Sequence, residues 1–386
     1  MRLRPLEAAD LDVALVQIAT SFGRALDDAL AERTRSRLAE GQLWGLEEDG
    51  LLTGHCRLLP SAHWLGGRAV PSLDIASLAV PPEHRGRGVA SAMMREAVAV
   101  GLARGDGLSV LYPSTTRLYR RLGWEHAGTL TRYRVPARVA PTPGPTLRRA
   151  VKPTDWPAIR DCHEAFAATL SGAAVRGQER WDELAALPHR YVLDDPASPG
   201  RLEAYALVEH EPIPGSWQHT LRLVDWAATT PRGLAALATF AGRHGTFARD
   251  VVLVDVVPPR WTALLDEQDL EATGGLCWMA RGLDLPSAIA HRGFPAGLAL
   301  AVTLRVDDDA VPSGPWRLEV ADGRGALADA PGADVRLTAR AVGPLLTGFR
   351  PASELATLGL LRGPAEALAL LDAAFGGPPP VMLDFF

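Results

Sequence analysis

The 386-residue chain lacks several features that would assign it to a protein class at once. Its three cysteines, Cys56, Cys162 and Cys277, are odd in number and far apart, so no disulfide framework or Cys-x-x-Cys metal site follows from them. Lysine is nearly absent, and the formal net charge of -5 argues against nucleic acid as a partner. The absence of a disulfide framework favours a protein that works in a reducing compartment.

Long apolar runs are also missing. No stretch of 18 apolar residues offers a membrane span, and residues 1–12 lack the apolar core of a signal peptide. We therefore expect a cytoplasmic protein with no membrane partner. The composition, 47% apolar and 22% charged, indicates a globular protein, and the length suits two or three domains with buried cores.

Motifs of several enzyme classes are incomplete or absent. His163-Glu164 begins like a zincin motif, but Ala167 stands where the second histidine is required. There is no Gly-x-Ser-x-Gly elbow and no metal-ligand spacing among the histidines. We expect no metal.

The most informative stretch is residues 73–104, LDIASLAVPPEHRGRGVASAMMREAVAVGLAR. Its apolar start predicts a buried strand, which Pro81 and Pro82 close. Apolar residues at helical spacing follow from Val89, and Gly105 is a plausible stop signal. A strand, a glycine-bearing turn and a helix N-terminus together can bind an anion through unpartnered N–H groups and the helix dipole.

The turn comprises Arg85, Gly86, Arg87, Gly88, Val89 and Ala90. Its spacing fits neither a Walker loop nor the dinucleotide Gly-x-Gly-x-x-Gly. Arg-x-x-Gly-x-Ala after a strand resembles the pyrophosphate-binding signature of GCN5-related N-acetyltransferases, which hold acetyl-CoA there. An ordinary exposed Arg/Gly turn is the alternative.

The surrounding pattern fits the same family. We predict strands over 1–9, 43–46, 51–59, 73–80 and 108–112, helices after Asp10, over 25–40, from Val89 and over 114–122, and a hairpin over 124–135. The segment STTRLYRRLGWEHAG (114–128) resembles the family's aromatic helix beside the coenzyme thiol. That resemblance places Ser114 at the coenzyme and makes Tyr119 the general acid that protonates the departing thiolate. Tyr119 as a mere packing residue is the alternative.

After a Pro-rich linker, residues 136–146, the chain begins again. Residues 147–167 parallel residues 3–23, a modest internal repeat that predicts a second acetyltransferase-like domain. There Pro231-Arg232-Gly233-Leu234 replaces the glycine-rich turn, so we predict that this copy binds no coenzyme. The second domain would instead form one side of the first domain's substrate site or an oligomer interface.

From residue 290 the pattern changes. Residues 296–320 alternate like paired strands around a Pro-Ser-Gly-Pro turn, and residues 363–376 form an amphipathic helix. This tail resembles the sterol-carrier-protein fold, with either a lipid tunnel or an ordinary core. The whole combination resembles the Eis family of actinobacterial acetyltransferases. It implies an α/β (α+β) fold of tandem GCN5-related domains, 1–136 catalytic and 146–285 degenerate, followed by a sterol-carrier-like domain, 286–386.

The chain ends in VMLDFF (381–386). Burying Phe385 and Phe386 would contribute roughly 2 kcal/mol apiece and pin this end. In the resembled family the terminal carboxylate, here that of Phe386, enters the first active site as general base, and desolvation would raise its pKa. A terminal strand whose carboxylate faces water is the alternative.

Other site residues follow from the resemblance. The backbone of Leu78, Ala79 and Val80 would polarise the thioester carbonyl and pair with the pantetheine arm. A polycationic acceptor wants carboxylates, for which Asp27, Asp28 and Asp384 are candidates. We expect direct attack by the amine rather than a covalent cysteine intermediate.

Together these features predict an acetyl-CoA-dependent N-acetyltransferase acting on aminoglycoside-like or other polyamine small molecules. A protein-lysine acetyltransferase is one alternative, and a lipid carrier or scaffold with vestigial acetyltransferase domains is another. The resembled family forms hexamers, so a homo-oligomer is expected.

Overall fold

A computed structural model describes residues 1–139, 144–265 and 269–386. The predicted linker over 136–146 therefore lies partly outside the described residues. Within these three ranges, no helix combines the length and the apolar character that crossing a membrane requires.

The first segment alternates strands and helices in the predicted order. Its elements are β1 (Arg2–Pro5), α1 (Leu11–Phe22), α2 (Asp28–Ala39), β2 (Leu43–Glu48), β3 (Leu51–Leu65), β4 (Arg68–Ala79), α3 (Val89–Arg104), β5 (Leu108–Leu111), α4 (Thr116–Arg121) and β6 (Glu125–Pro136). The hairpin predicted over 124–135 is wrong, because β6 is one continuous strand of 12 residues. Both of its edges are occupied by strands from the second segment, so it has no need to fold back on itself.

The second segment repeats this order. Its elements are β7 (Arg148–Arg149), α5 (Asp155–Ala167), α6 (Gln178–Ala185), β8 (His189–Asp194), β9 (Leu202–Pro212), β10 (His219–Ala228), α7 (Pro231–Arg243), β11 (Ala248–Asp255) and β12 (Glu271–Gly282). One sheet of 12 strands runs through both segments in the order β1-β2-β3-β4-β5-β12-β6-β11-β10-β9-β8-β7. Since β12 lies between β5 and β6, the two segments exchange their last strands.

The third segment has a sheet of its own. It comprises α8 (Leu285–His291), β13 (Leu300–Asp307), β14 (Trp316–Ala321), β15 (Arg324–Asp329), β16 (Val335–Thr338), α9 (Ala339–Thr347), α10 (Ala352–Thr357), β17 (Leu361–Arg362) and α11 (Ala365–Phe375). The five strands lie in the order β15-β14-β13-β16-β17. Antiparallel pairing of β13 with β14 confirms the paired strands predicted around the Pro-rich turn.

A cleft opens where β4 and β5 part. The two strands pair in parallel only from Ser72↔Leu108 to Ile75↔Leu111, whereas β4 continues to Ala79. Beyond Ala76 the register of β4 with β3 slips, and Ser77 adopts a positive φ of 51°. Such a bulge bends the strand and leaves backbone groups without ladder partners. The bulge therefore leaves part of the β4 backbone free to bind a ligand.

Candidate active site

The N-terminus of α3 is open for an anion. Gly86 and Gly88 have φ of 75° and 83°, a conformation that glycine adopts without penalty. Among the described residues, no side chain caps this helix, and its first turn contains no acidic residue. Its first N–H groups and its dipole therefore remain free for a negatively charged group. The predicted turn residues thus meet at one helix end.

The arginines of the turn are held by neighbours and stay exposed. Arg85 donates from Nε to the carbonyl oxygen of Val80 at 3.0 Å. The guanidinium of Arg87 lies 2.9 Å from a carboxylate oxygen of Glu48. These contacts fix the turn against β2 and the end of β4 while leaving positive charge at its surface.

The corresponding end of α7 is occupied. Thr230 precedes the helix, and its hydroxyl accepts a hydrogen bond from the N–H of Gly233 at 3.0 Å. Arg232 pairs with Glu203 at 2.8 Å. The second segment therefore caps with its own side chain the helix end that the first segment leaves open. This supports the prediction, still untested, that the second copy binds no coenzyme.

One large cavity, about 1500 Å³, lies between the first and second segments and the chain end. Leu78 of β4, Ser114 and Tyr119 at α4, and Phe386 all line it. Ala79 is the last residue of β4, and Val80 follows it on the way to the α3 turn; neither residue lines the cavity. The structure thus brings the predicted strand backbone, acid and base to one space.

Tyr119 is buried with its ring in the core beneath the cleft. Burial raises the pKa of Tyr119, and the hydroxyl of Ser114 opposes that rise through a hydrogen bond. A phenol that stays protonated can donate a proton to a thiolate of similar basicity. Its position is compatible with the predicted role as general acid.

Cysteines lie closer to the site than their sequence positions indicated. Cys56 lies near Tyr119 but is 1% exposed, and burial raises the pKa of its thiol to about 12. A thiol at neutral pH is a poor nucleophile. Cys277 is exposed and lines the cavity. Direct attack remains our expectation, and a kinetic test must decide it.

The chain end is pinned by backbone hydrogen bonds and by a half-buried Phe386, which packs against the core, but not by Phe385. The N–H groups of Val381 and Met382 donate to the carbonyl oxygens of Ser171 and Thr129, each at 2.8 Å. Val381 and Met382 are buried, whereas Phe385 is 62% exposed. The predicted burial of Phe385 is therefore wrong, because alternation along the extended end turns Asp384 inward instead.

The side chains predicted to bind a cationic acceptor are not free to do so. Asp27 caps α2, accepting from the N–H of Leu30 at 2.8 Å, and neither Asp27 nor Asp28 lines the cavity. Asp384 lines it but lies 2.8 Å from both Arg176 and Arg180. Asp27 is engaged as a helix cap, Asp28 lies outside the cavity lining, and Asp384 is ion-paired, none of which sequence spacing could show.

The charges around the cavity are unevenly satisfied. Every acidic side chain of its described lining accepts a hydrogen bond from a neighbouring side chain, namely Glu40, Asp74, Asp106, Glu179, Asp182, Glu183 and Asp384. In the same lining, Arg24 and Arg33 are exposed, and their guanidinium groups make no hydrogen bond or ion pair with a described residue. The cavity thus presents two guanidinium groups without an ion pair among the described residues, whereas five of its seven carboxylates are ion-paired. In the described part of the chain, Glu40 and Asp182 accept only from uncharged donors and keep their negative charge.

A buried histidine–aspartate pair at this cavity escaped the sequence reasoning. Nε2 of His63 lies 3.0 Å from both carboxylate oxygens of Asp74, and Ser72 donates to the same carboxylate at 2.8 Å. Burial would lower the pKa of His63, but the adjacent Asp74 outweighs it, so the pKa is raised. A charged residue inside the apolar strand 73–80 was the available signal.

Comparisons with known proteins agree with this geometry. Residues 2–127 match the acetyltransferase (GNAT) domain family, and residues 285–383 match the sterol carrier protein domain family. A GCN5-related N-acetyltransferase from Kribbella flavida is 32% identical with a TM-score of 0.87, and the match covers 100% of this chain and 98% of that one. The chain belongs to the GCN5-related N-acetyltransferases.

Two further relatives place this acetyltransferase within the family. N-acetyltransferase Eis of Mycobacterium tuberculosis is 27% identical over 83% of this chain and 82% of its own length. The structure of Eis1 from Mycobacterium abscessus is 21% identical, covers 100% of both chains and superposes with a TM-score of 0.80. The predicted resemblance to Eis-type acetyltransferases with a sterol-carrier-like domain is confirmed, and the chain is an acetyl-CoA-dependent N-acetyltransferase.

Proposed function

We propose that this acetyltransferase moves an acetyl group from acetyl-CoA directly to a primary amine, with Tyr119 as general acid and the carboxylate of Phe386 as general base. The observation that carries the proposal is the cavity that Leu78, Tyr119 and Phe386 line together. We keep the division 1–136, 146–285 and 286–386 as part of the proposal.

Each group has a defined task. The open α3 turn binds the coenzyme pyrophosphate, and the free backbone at the β4 bulge pairs with the pantetheine arm. An N–H near Leu78 to Val80 polarises the thioester carbonyl. The carboxylate takes a proton from the acceptor ammonium, and the neutral amine attacks the thioester carbonyl carbon. The C–S bond breaks as Tyr119 protonates the departing thiolate, the second proton of the attacking nitrogen restores the Tyr119 phenol, and the carboxylate releases its proton to solvent. No metal enters this scheme.

For the acceptor we propose an aminoglycoside-like or polyamine small molecule, as the resemblance to Eis implies. Lysine side chains of proteins are the alternative acceptor. We do not propose the alternative of a lipid carrier with vestigial acetyltransferase domains, because family membership and the open α3 turn both favour an active enzyme.

One observation favours a second kind of acceptor. Arg24 and Arg33 line the cavity without a hydrogen bond or ion pair to a described residue, while most of the carboxylates there are ion-paired. A guanidinium without a partner attracts carboxylate or phosphate. The second candidate is therefore an amine that also carries an anionic group.

The testing experiment follows thiol release from acetyl-CoA with four acceptors: neomycin, spermidine, a lysine-containing peptide and glucosamine 6-phosphate. We expect the intact chain to turn over at least one of the three small amines and the chain lacking Phe386 to lose that turnover while binding acetyl-CoA equally well. Equal turnover in both chains would move the base elsewhere. Turnover of the peptide alone would favour the protein-lysine alternative.

The four acceptors also separate the two small-molecule classes. Preference for neomycin or spermidine supports the polyamine acceptor. Preference for glucosamine 6-phosphate, weakened by changing Arg24 and Arg33 to Gln, supports the anionic one. A cytoplasmic location and a homo-oligomer, a hexamer by resemblance, remain predictions, and sedimentation of the purified chain tests the latter.

A further inference from the structure

We propose that Asp384 is a positioning residue and that Arg176 of the second segment clamps it, so that the coenzyme-free second segment holds the general base of the first in place. This inference rests on the proposed function, because the group being positioned is the Phe386 carboxylate. It gives the degenerate segment a task in the reaction.

The clamp is a buried ion-pair network. The Arg176 side chain is 2% exposed and bridges two carboxylates. Its Nε donates to Asp384 at 2.8 Å, and its two terminal nitrogens donate to Asp225 at 2.8 and 2.7 Å. Arg180 of α6 adds a second contact to Asp384 at 2.8 Å. Such planar, charge-assisted contacts fix the direction of the carboxylate as well as its distance.

The core of the second segment backs this network. The hydroxyl of Tyr205 on β9 donates to Asp225 at 2.6 Å, and Nδ1 of His163 on α5 lies 3.1 Å from that hydroxyl. The guanidinium of Arg176 also stacks 5.0 Å from the ring centroid of Trp181. Since all these groups are buried, the network resists displacement, and an unpaired member would be strongly unfavourable.

The first segment holds the same residue from the other side. Tyr112, next to β5, donates its hydroxyl to the backbone carbonyl oxygen of Asp384 at 2.8 Å. The Tyr112 ring lies 4.8 and 5.4 Å from the rings of Phe385 and Phe386. Asp384 is therefore the residue at which the chain end is bound to both the first and the second segment.

The expected effect follows from the reach of the chain. Past Asp384 only two residues remain, which span at most about 7 Å, whereas past Met382, the nearest preceding residue held by a backbone hydrogen bond, four residues span about 14 Å. Asp384→Asn removes the ion pairs with the arginines but leaves the Tyr112 hydrogen bond to the backbone carbonyl, so this doubling of the reach is the upper limit. Doubling the reach enlarges the accessible volume about eightfold, so the effective concentration of the base should fall by up to about eightfold.

The test compares Asp384→Asn with Asp155→Asn. Asp155 is an equally buried carboxylate of the second segment, paired with Arg148 at 2.7 Å and remote from the chain end in sequence and contacts. Asparagine keeps the shape of both side chains but removes the charge. One measurement is the release of phenylalanine by carboxypeptidase A, and the other is kcat and KM for thiol release, each in the full chain and in the chain lacking Phe386.

We expect Asp384→Asn to release phenylalanine faster, by up to about eightfold, and to lower kcat by up to about eightfold, with acetyl-CoA affinity unchanged. In the chain lacking Phe386 the same change should have no further effect on kcat. Asp155→Asn should alter neither measurement. Unchanged phenylalanine release, an equal kcat loss without Phe386, or an equal effect of Asp155→Asn would each overturn the proposal.

The outcomes separate this inference from the proposed function. If removing Phe386 leaves kcat intact, the base assignment is wrong, and the positioning role falls with it even where the release assay shows a clamp. If removing Phe386 abolishes turnover but Asp384→Asn changes nothing, only the positioning role fails. Should Asp384→Asn not fold, Arg180→Gln removes the charged contact of α6 to the same carboxylate and must raise phenylalanine release, or the clamp is refuted.

Discussion

Gly88→Ala tests the coenzyme turn in a way that separates binding from folding. Gly88 immediately precedes α3 with φ of 83°, and a Cβ there would meet no described atom within 4 Å. The change therefore adds no clash in the free protein. Its only cost is the left-handed backbone, about 1–2 kcal/mol for a residue with a side chain.

The same helix supplies a matched control. Gly105 ends α3 with φ of 75°, and a Cβ there would also meet no described atom within 4 Å. Gly105→Ala should therefore lower the free energy of unfolding by the same 1–2 kcal/mol or so. It lies at the opposite end of the helix from the anion site, so acetyl-CoA affinity should not change.

Binding should respond only at Gly88. If the turn relieves its strain by relaxing, the coenzyme must restore the strained form, and 1–2 kcal/mol corresponds to about a five- to thirtyfold weaker Kd. Urea denaturation measures the stability of both variants, and calorimetric titration with acetyl-CoA measures the Kd. Unchanged affinity in a Gly88→Ala variant that also keeps its stability, or equal weakening in Gly105→Ala, would refute the assignment of the turn.

Three further outcomes are expected. Tyr119→Phe should lower kcat about a hundredfold at unchanged acetyl-CoA affinity, and an unchanged kcat in the thiol-release assay would remove its role as acid. Burial would raise the pKa of Asp384, but the positive charges of Arg176 and Arg180 outweigh burial and hold that pKa well below its usual range. The ionised carboxylate therefore stabilises the fold fully above about pH 4, and this stabilisation is lost as the pH falls further. Asp384→Asn should then lower the free energy of unfolding by about 3 kcal/mol at pH 7, and the difference in stability between the variant and the unmodified chain should shrink below about pH 4. A stability difference that stays the same at all pH values in urea denaturation would contradict this. Titration with acetyl-CoA should give one site per chain, since Thr230 caps α7, and two sites would overturn the assignment.

Local patterns were sufficient to predict much of the first segment. The strand, proline stop, glycine turn and helix of residues 73–104 are encoded within that stretch, and β4 and α3 occupy it in the structure. The same holds for α11 and for the β13–β14 pair, whose periodicity and turn residues are continuous in the sequence. Coenzyme-binding motifs are recognisable for the same reason.

Long-range pairings could not be predicted in this way. The alternation over 124–135 suits a hairpin as well as a single strand, and only the arrival of β12 from residues 271–282 decides between them. Asp384 lies 208 residues from its partner Arg176, which stands in a loop with no motif. The acidic side chains also looked available for a cation until their partners were known.

The strand exchange explains how one chain can divide the reaction among three segments. Because β12 lies between β5 and β6, the sheet that carries the α3 turn is completed by the second segment. The third segment extends from the end of β12 and returns its last residues beside Thr129 of β6, at the same sheet. The α3 turn, the proposed clamp and the chain end are thus fixed to one continuous sheet, and under the proposed function the second segment needs no coenzyme site of its own.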